Sequence, residues 1–302
     1  MASQKDVKDR ISSVKNIQKI TRAMEMVAAA RLRRAEERIE HLRPYAKAIR
    51  RMTRRTVEAV DKIPNLPLLE AHDSEKRVGL LLVTGDRGLA GAFNSQIVRA
   101  GSRRALELRD EDKEVVWYAS GRKGASSLTF RGEDVAAQWQ GFTDRPAFEN
   151  ARDIAGDIAS QYIDGEVDRV EMTYNGYVSP LTQDVTTDVL LPLAAVEQLL
   201  EEDDEGSESE ERDSGHKTLW IYEPDPEEIL ERLVPDYIEI SIYRALLEST
   251  ASEHGARMTA MRAAQENAGE MIDDLTLEMN RQRQAEITAE IMEVVAGAEG
   301  LS

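Results

Sequence analysis

The last part of the chain carries residues at alternating spacings of three and four that are mostly apolar. The series consists of Tyr237, Ile240, Arg244, Leu247, Ala251, His254, Met258, Met261, Gln265, Ala268, Ile272, Leu275, Met279 and Gln282. This spacing predicts a coiled-coil helix with a rather polar seam. Because no proline follows Pro235, a helix over residues 237–296 is expected, and at about 1.5 Å per residue it is about 90 Å long. Most of such a helix must project from any compact domain.

The first sixty residues repeat the same spacing. The series consists of Val7, Ile11, Val14, Gln18, Thr21, Glu25, Ala28, Leu32, Ala35, Ile39, Leu42, Ala46, Ile49, Thr53, Thr56 and Val60. Around Gln18 the better apolar stripe is Ile17, Ile20, Met24 and Val27, so we expect the seam to drift there. Since the pattern continues on both sides of Pro44, this proline is expected to bend the helix without ending it. If both helices attach to one central domain and pair, they run antiparallel, with both termini at the far tip.

The middle of the chain changes to shorter periods. Buried strands are predicted at 77–84, 115–119, 170–174 and 185–191, helices after the glycine-rich turn at 85–91 and at 146–163, and a hairpin turn at Asn175-Gly176. Strands that alternate with helical patterns are typical of a parallel α/β sheet. The sequence therefore predicts an α/β protein with a long antiparallel coiled coil. Its terminal helices span 1–61 and 237–302, and its central domain spans 62–236.

The charge of the chain is divided unevenly among these three parts. The total of −18 over 302 residues conceals a net of +9 in residues 1–60, −20 in 61–236 and −7 in 237–302. A basic helix paired with an acidic one is electrostatically favourable, although exposed ion pairs each contribute only about 0–1 kcal/mol. Most of the stability of the pair should come from its apolar seam.

Composition excludes several classes of function. The chain contains no cysteine, which rules out disulfides, thiolate metal sites and cysteine nucleophiles. It has no apolar run of the ~18 residues that a membrane span needs and no signal segment at its start. We therefore expect a soluble protein of the cytoplasm.

Few residues suggest catalytic chemistry. Gly85, Gly88 and Gly91 follow a strand, but their spacing matches neither a dinucleotide-binding fingerprint nor a P-loop, which favours a structural turn over a phosphate site. The four histidines lie far apart in sequence, and no nucleophile, base and orienting group occur together. No cofactor and no metal are predicted.

Two charged segments are open to functional interpretation. Residues 201–211 hold eight acidic residues in eleven, which is typical of a solvated loop, here taken as 201–215; a cation site is the weaker alternative. The arginine clusters of the first helix suggest nucleic acid, but they lie beside the apolar seam and lack aromatic residues for base stacking. A basic collar that meets an acidic protein surface is the favoured interpretation.

Several independent motifs resemble one family. They are KNIQKITRAMEMVAAA at 15–30, TGDRGLAGAFN at 84–94, YEPDP at 222–226, SEHGARMTAMRAA at 252–264 and NRQRQAEIT at 280–288. Together they resemble the gamma subunits of rotary proton-translocating ATP synthases over essentially the whole chain.

The resemblance implies a shaft with a Rossmann-like foot and no catalytic residue of its own. It implies as partners the alpha and beta subunits of a hexameric head, an epsilon subunit and a ring of membrane c subunits, with membrane association only through the complex. Because no arginine-rich presequence precedes the family motif, we expect the cytoplasmic face of a bacterial plasma membrane. Without a cysteine pair, the redox switch of chloroplast relatives should be absent.

The resemblance also implies interface residues. Arg281, Arg283 and Gln284 match the catch region that hydrogen-bonds the empty catalytic subunit, although an ordinary solvated helix face is the alternative. Met24 matches a position near an acidic lever of the catalytic subunit, with Arg31, Arg33 and Arg34 as candidates for a collar that faces it. The tip residues Ile287, Ile291, Val294 and Val295 would turn in a bearing of the head.

A different class of function remains as the alternative. A nucleotide-binding Rossmann-like enzyme with a coiled-coil dimerisation arm would also combine a glycine turn after a strand with long terminal helices. The two hypotheses differ in nucleotide binding, because a nucleotide at 100 times its dissociation constant would stabilise the enzyme by about 2.7 kcal/mol, whereas co-purification with a six-membered head would favour the gamma subunit.

Overall fold

The computed structural model describes residues 4–59, 66–193 and 225–299. In chain order the elements are α1 (Gln4–Ala59), β1 (Arg77–Val83), α2 (Phe93–Asp110), β2 (Glu114–Ser120), α3 (Arg122–Phe130), β3 (Val135–Trp139), α4 (Phe148–Ile163), β4 (Arg169–Tyr177), β5 (Gln183–Leu191) and α5 (Pro226–Glu299). The chain forms two units, Met1–Ala30 with Arg257–Ser302 and Arg31–Ala256. Each is described by itself.

The smaller unit is an antiparallel pair formed by the start of α1 and the end of α5. Glu25 Oε1 pairs with Arg262 Nε at 2.9 Å, and Gln18 Nε2 donates to the Gln265 carbonyl at 3.5 Å. From Gln18 to Glu25 the residue number rises along α1, whereas that of the partner on α5 falls from Gln265 to Arg262. This confirms that the two helices run antiparallel. Val7, Ile11, Ala28, Met261 and Ala268 of the predicted seams are buried between the helices.

The predicted drift of the first seam is wrong. Gln18, Thr21 and Glu25 stay on the side of the partner helix, whereas Ile17, Ile20 and Val27 are 52%, 58% and 53% exposed. Each polar side chain has a partner: Glu25 pairs with Arg262, Gln18 bonds the Gln265 carbonyl, and Thr21 Oγ1 bonds the Gln18 carbonyl at 3.0 Å. The apolar seam residues before and after this segment determine which face of α1 contacts α5. The polar side chains on that face are buried at little cost because they are hydrogen-bonded. The apolar stripe is left on the outer surface.

The larger unit contains a five-stranded sheet of order β3-β2-β1-β4-β5. The pairs β1–β2, β1–β4 and β2–β3 are parallel, and β4–β5 is antiparallel. Helices cover both faces, as a parallel sheet requires. Leu80 and Leu82 of β1 pack with Ile97 of α2 and Leu128 of α3, whereas Leu81 packs with residues of α4 and α5. The predicted α/β class is confirmed.

Helices α1 and α5 also pair within the larger unit. Ile49 packs against Leu233 and Ile240, with Tyr237 beside them. Helix α1 continues through Pro44, as predicted, and α5 begins at Pro226, before the expected Tyr237, and continues through Pro235. The apolar residues Leu230, Leu233 and Val234 are buried, and their burial explains why helix extends to the N-terminal side of this proline.

Two local predictions for the sheet need correction. The turn predicted at Asn175-Gly176 is wrong, because both residues lie within β4 and pair with Val185 and Asp184. The chain turns instead between Ser179 and Thr182, whose backbone groups bond each other at 3.0 and 3.2 Å, with Pro180 at the second turn position that favours it. Strand β3 was not predicted, since its Val-Ala-Ala-Gln-Trp sequence lacks the usual run of β-branched residues. The acidic segment 201–215 lies outside the described residues.

Candidate functional site

The strand order reverses between β1 and β4, which both lead to the same edge of the sheet. In doubly wound α/β domains a ligand binds outside the carboxyl ends of the strands at such a switch point. The glycine-rich turn at 85–91 follows β1 there, and Asn175 lies near the end of β4. This edge is therefore where a nucleotide site would be expected.

Hydrogen bonds within the domain hold the glycine-rich turn. The Gly85 amide donates to Asn94 Oδ1 at 2.8 Å, Asn94 Nδ2 donates to the Arg87 carbonyl at 3.2 Å, and the Lys123 amide donates to the Gly85 carbonyl at 3.1 Å. Two of the backbone amides that could bind a phosphate, those of Gly85 and Asp86, thus already donate to side chains of the protein, the Asp86 amide to Thr143 Oγ1 at 2.9 Å. The geometry is that of a structural turn.

Asp86 joins the loops that follow three neighbouring strands. Its carboxylate accepts hydrogen bonds from the Arg122 amide at 3.0 Å, the Gly141 amide at 2.8 Å and Thr143 Oγ1 at 3.0 Å. These donors follow β2 and β3, whereas Asp86 follows β1. A carboxylate at this position would repel a phosphate, and it fixes the carboxyl edge as one rigid surface.

Helix α5 occupies the crevice at the switch point. Ser249 Oγ donates to the Val83 carbonyl and Ser252 Oγ donates to the Asn175 carbonyl, each at 3.2 Å. Both acceptors lie at the ends of the strands between which the order reverses. The protein's own helix therefore stands where a doubly wound enzyme would hold its ligand.

A second polar cluster ties α5 to β4 and β5. Tyr174 Oη donates to Asp188 Oδ2 at 2.9 Å, and Arg244 Nη2 lies 3.3 Å from Tyr174 Oη. Burial raises the pKa of Tyr174, and Arg244 opposes this shift. Burial likewise raises the pKa of Glu248, one helical turn after Arg244, against the attraction of Arg244. The cluster is sensitive to any displacement of the helix from the sheet, because its charges are partly buried and paired.

The candidate interface residues fall in both units. In the smaller unit, Arg281, Arg283 and Gln284 of α5 are exposed, and Met24 of α1 is partly buried. In the larger unit, Arg33 and Arg34 are exposed. Arg31 instead forms an ion pair with Asp144, in the loop after β3. Sequence reasoning missed this partner, because nothing in the local pattern brings the two residues together.

The apolar residues near the end of α5 are not buried against any other described residue. Ile287, Ile291 and Val294 are 45%, 57% and 72% exposed. The side chain of Val295 lies outside the described part. Every described side chain of α5 from Arg283 to Val294 is exposed, so Ile287, Ile291 and Val294 do not pack on α1.

Residues 4–59, 66–193 and 225–299 hold no candidate metal site and no candidate membrane span. No group of three or more His, Cys, Asp or Glu residues there has the arrangement of a metal site. None of the helices in these ranges is both long and apolar enough to cross a membrane. An open groove of about 350 Å³ between α3 and β3, lined by residues that include Phe130 and Gln138, lies away from the switch point.

The fold and this site define a class of protein: a coiled-coil protein with an inserted α/β domain whose switch point is filled by its own helix. Comparison with known proteins supplies the family. The family model described as ATP synthase matches residues 3–301. The chain is 42% identical to the ATP synthase gamma chain of Moorella thermoacetica and 40% identical to that of Rubrobacter xylanophilus, with at least 99% of each chain covered. The chain therefore belongs to the family of ATP synthase gamma chains.

Solved structures agree with this assignment. A chain of the central stalk and c-ring of the Tetrahymena thermophila mitochondrial ATP synthase is 27% identical, with a TM-score of 0.60 over 81% of this chain and 99% of that chain. A chain of the Euglena gracilis mitochondrial ATP synthase is 18% identical, with a TM-score of 0.66 over 99% of this chain and 94% of that chain, and shows the same fold. The enzyme alternative is not favoured.

Proposed function

We propose that this chain is the rotor of the central stalk of a proton-translocating ATP synthase and couples rotation of the membrane ring to the catalytic sites. The observation that carries the proposal is the full-length match to gamma chains at about 40% identity. Helix α5, which runs from Pro226 to Glu299 and takes part in both units, offers a continuous mechanical connection. In this role residues 1–61 and 237–302 act as the shaft and residues 62–236 as the foot.

The coupling is a shift of populations imposed by contact. An asymmetric shaft that turns inside a head with three catalytic sites favours a different conformation of each site at each angle, because its contacts with each conformation differ in free energy. Such a rotor needs no catalytic residue of its own. The occupied switch point and the internally bonded glycine turn support this non-catalytic role.

Arg281, Arg283 and Gln284 are proposed to bind the catalytic subunit in its empty state. All three are exposed on α5, so their donors can reach a partner without disturbing the coiled coil. An arginine fork suits a carboxylate of the partner, and hydrogen bonds to an ionised group are stronger than neutral ones.

Met24, Arg33 and Arg34 are proposed to face the acidic lever of the catalytic subunit. Arg33 and Arg34 are exposed and have the complementary charge. Arg31 belongs to the same proposed collar. It also forms an ion pair with Asp144, which holds α1 against the loop after β3.

Ile287, Ile291, Val294 and Val295 are proposed to turn in an apolar bearing of the head. Exposed apolar side chains of this density are typical of a surface that meets a partner. Apolar contact is non-directional, so such a bearing resists rotation less than fixed salt bridges would.

The remaining partners are proposed from the family. They are the alpha and beta subunits, the epsilon subunit and the ring of c subunits, with no nucleic acid and no cofactor. Because the relatives with the highest identity given above are bacterial, the proposed location is the cytoplasmic face of a bacterial plasma membrane, reached only through the complex.

Reconstitution tests the proposal. Membrane vesicles that hold the complex with this chain should pump protons on addition of ATP, and vesicles that lack the chain should not. The enzyme alternative predicts instead that a nucleotide at 100 times its Kd stabilises the isolated chain by about 2.7 kcal/mol. A thermal shift of that size without assembly into a head would overturn the rotor proposal.

A further inference from the structure

One turn of α5 is buried around its whole circumference. The five successive residues from Ala251 to Gly255 are all buried, with Ser252 at 0%, Glu253 at 3% and His254 at 1% exposure. Successive helix residues point about 100° apart, so five of them cover the whole circumference. The α/β domain and the paired helix α1 together can cover this turn, so what the domain contributes is given by its hydrogen bonds to the helix.

Three hydroxyl groups bind this part of the helix to three different segments. Ser249 Oγ donates to the carbonyl of Val83 in β1 at 3.2 Å, and Ser252 Oγ donates to the carbonyl of Asn175 in β4 at 3.2 Å. Thr250 Oγ1 lies 2.9 Å from the carbonyl oxygen of Thr143, in the loop after β3, and shares its one hydrogen between this acceptor and the Leu246 carbonyl of its own helix at 2.7 Å. We call Ser249, Thr250 and Ser252 the hydroxyl clamp.

Two glycines allow the helix to come this close. A Cβ atom on Gly85 would lie 2.8 Å from the carboxylate of Glu253, and one on Gly255 would lie 3.0 Å from the carbonyl oxygen of Pro180. Glycine weakens a helix interior, so Gly255 is costly unless close approach requires it. The β4–β5 turn that contains Pro180 thus adds a fourth segment around the helix.

We propose that the hydroxyl clamp transmits torque, by fixing the rotational angle of α5 within the α/β domain. The inference rests on the proposed rotor function, since only a rotor must pass torque between a foot and a shaft. Close packing of side chains around the helix resists such rotation, and hydrogen bonds add resistance that depends on direction. Hydrogen bonds weaken steeply with distance and angle, and the three bonds leave the helix in different directions.

The geometry shows how small a rotation of α5 would break the hydrogen bonds of the hydroxyl clamp. The polar atoms lie about 5 Å from the axis of an α-helix, so a rotation of about 30° moves them by about 2.6 Å. A bond of 2.9–3.2 Å would then exceed hydrogen-bond distance. Rotation of the helix therefore requires the three bonds to break together.

The acceptors are rigid. Each is a main-chain carbonyl, and Val83 and Asn175 belong to strands of the sheet. Thr143 is held by Asp86, whose amide donates to Thr143 Oγ1 at 2.9 Å and whose carboxylate accepts from the same hydroxyl at 3.0 Å. No flexible side chain on the acceptor side of these three bonds can follow a turning helix.

The test uses the assembled ATP synthase in membrane vesicles, with ATP hydrolysis and ATP-driven proton pumping measured together. The variant combines Ser249→Ala, Thr250→Val and Ser252→Ala, and Ser252→Ala alone, whose hydroxyl bonds the Asn175 carbonyl, serves if the triple variant does not assemble. We expect hydrolysis to continue while protons pumped per ATP fall. The equilibrium constant for rotation of α5 out of its bonded position in the α/β domain should rise about fivefold for each hydroxyl removed. This is the fold-change that corresponds to one net hydrogen bond.

Two control variants separate torque transmission from stability. Thr276→Val on α5 removes a hydroxyl that bonds only the Ile272 carbonyl of its own helix, and Thr250→Ser keeps the clamp hydroxyl; both should pump at the wild-type ratio. If the clamp variants lower the melting temperature but leave protons per ATP unchanged, the hydroxyls are merely structural and the inference is overturned. If the wild-type complex itself does not pump, the proposed function fails instead.

Discussion

Replacement of Gly121 by alanine should destabilise the α/β domain far more than the same change at another glycine with positive φ. Gly121 has φ 96° and ψ 136° at the start of α3. A Cβ atom there would lie 2.1 Å from the carbonyl oxygen of Thr84. Thr84 cannot yield easily, because its amide donates to the Ser120 carbonyl at 2.8 Å and its hydroxyl accepts from the Gly124 amide at 2.9 Å.

Gly132 provides the matched control. Its φ is 82°, and no atom lies within 4 Å of the position that a Cβ atom would occupy. Gly132→Ala therefore carries only the cost of the left-handed backbone, about 1–2 kcal/mol. Gly121→Ala adds a clash with fixed backbone, for which overpacking in cores suggests a further 1–3 kcal/mol or so.

Urea unfolding followed by tryptophan fluorescence measures the difference, since Trp117 and Trp139 lie in the neighbouring strands β2 and β3. We expect Gly121→Ala to lower the free energy of unfolding by about 2–5 kcal/mol, against about 1–2 kcal/mol for Gly132→Ala. Equal losses for the two variants would refute the reasoning, because the contact with Thr84 would then contribute nothing.

Three further predictions concern charge. Burial opposes ionisation of Asp168, but hydrogen bonds from the Arg77 amide, His72 and the Lys76 amide together lower its pKa. The ionised Asp168 therefore stabilises the folded state above the unfolded-state pKa, and this contribution is lost as pH falls through the folded-state pKa. Asp168→Asn should therefore cost about 2 kcal/mol at pH 7, and urea titrations should show this cost shrink towards zero in acid; a constant cost would contradict the assignment. Burial raises the pKa of Glu248, so its contribution is present below the unfolded-state pKa and is lost as pH rises through the folded-state pKa; Glu248→Gln should melt higher than wild type at alkaline pH and equally in acid, and a lower melting temperature at alkaline pH would count against this. Arg283→Ala with Gln284→Ala should lower coupled ATPase activity of the reconstituted head without changing the helicity of the free chain by circular dichroism, and full activity would remove both residues from the proposed interface.

The sequence alone predicted the periodic elements well. Heptad spacing identified both terminal helices, and burial of Val7, Ala28 and Met261 agrees with the series as written. The error was to let the local hydrophobicity of Ile17 and Ile20 override that spacing. A polar side chain can be buried in a seam at little cost only if it forms a hydrogen bond or an ion pair there. The partners of Gln18 and Glu25 lie on the other helix, about 240 residues away in the sequence.

The candidate site was less accessible to sequence reasoning, because it is made of long-range contacts. The spacing of the glycines favours a structural turn, but it does not identify the hydrogen-bond partners of that turn. Ser249, Thr250 and Ser252 give only a weak signal, since three hydroxyl residues within four positions are unusual in the interior of a helix. Their acceptors in β1, the loop after β3 and β4 depend on the order of the strands, which pattern does not determine.

Direct observation of rotation tests the central claim most directly. The chain has no cysteine, so Arg103→Cys, at an exposed position of α2, provides a single attachment point for a visible probe on the foot. With the head immobilised and ATP added, the account predicts stepwise rotation of the probe in one direction, with one step for each of the three catalytic sites. A probe that stays still while the head hydrolyses ATP would contradict the account.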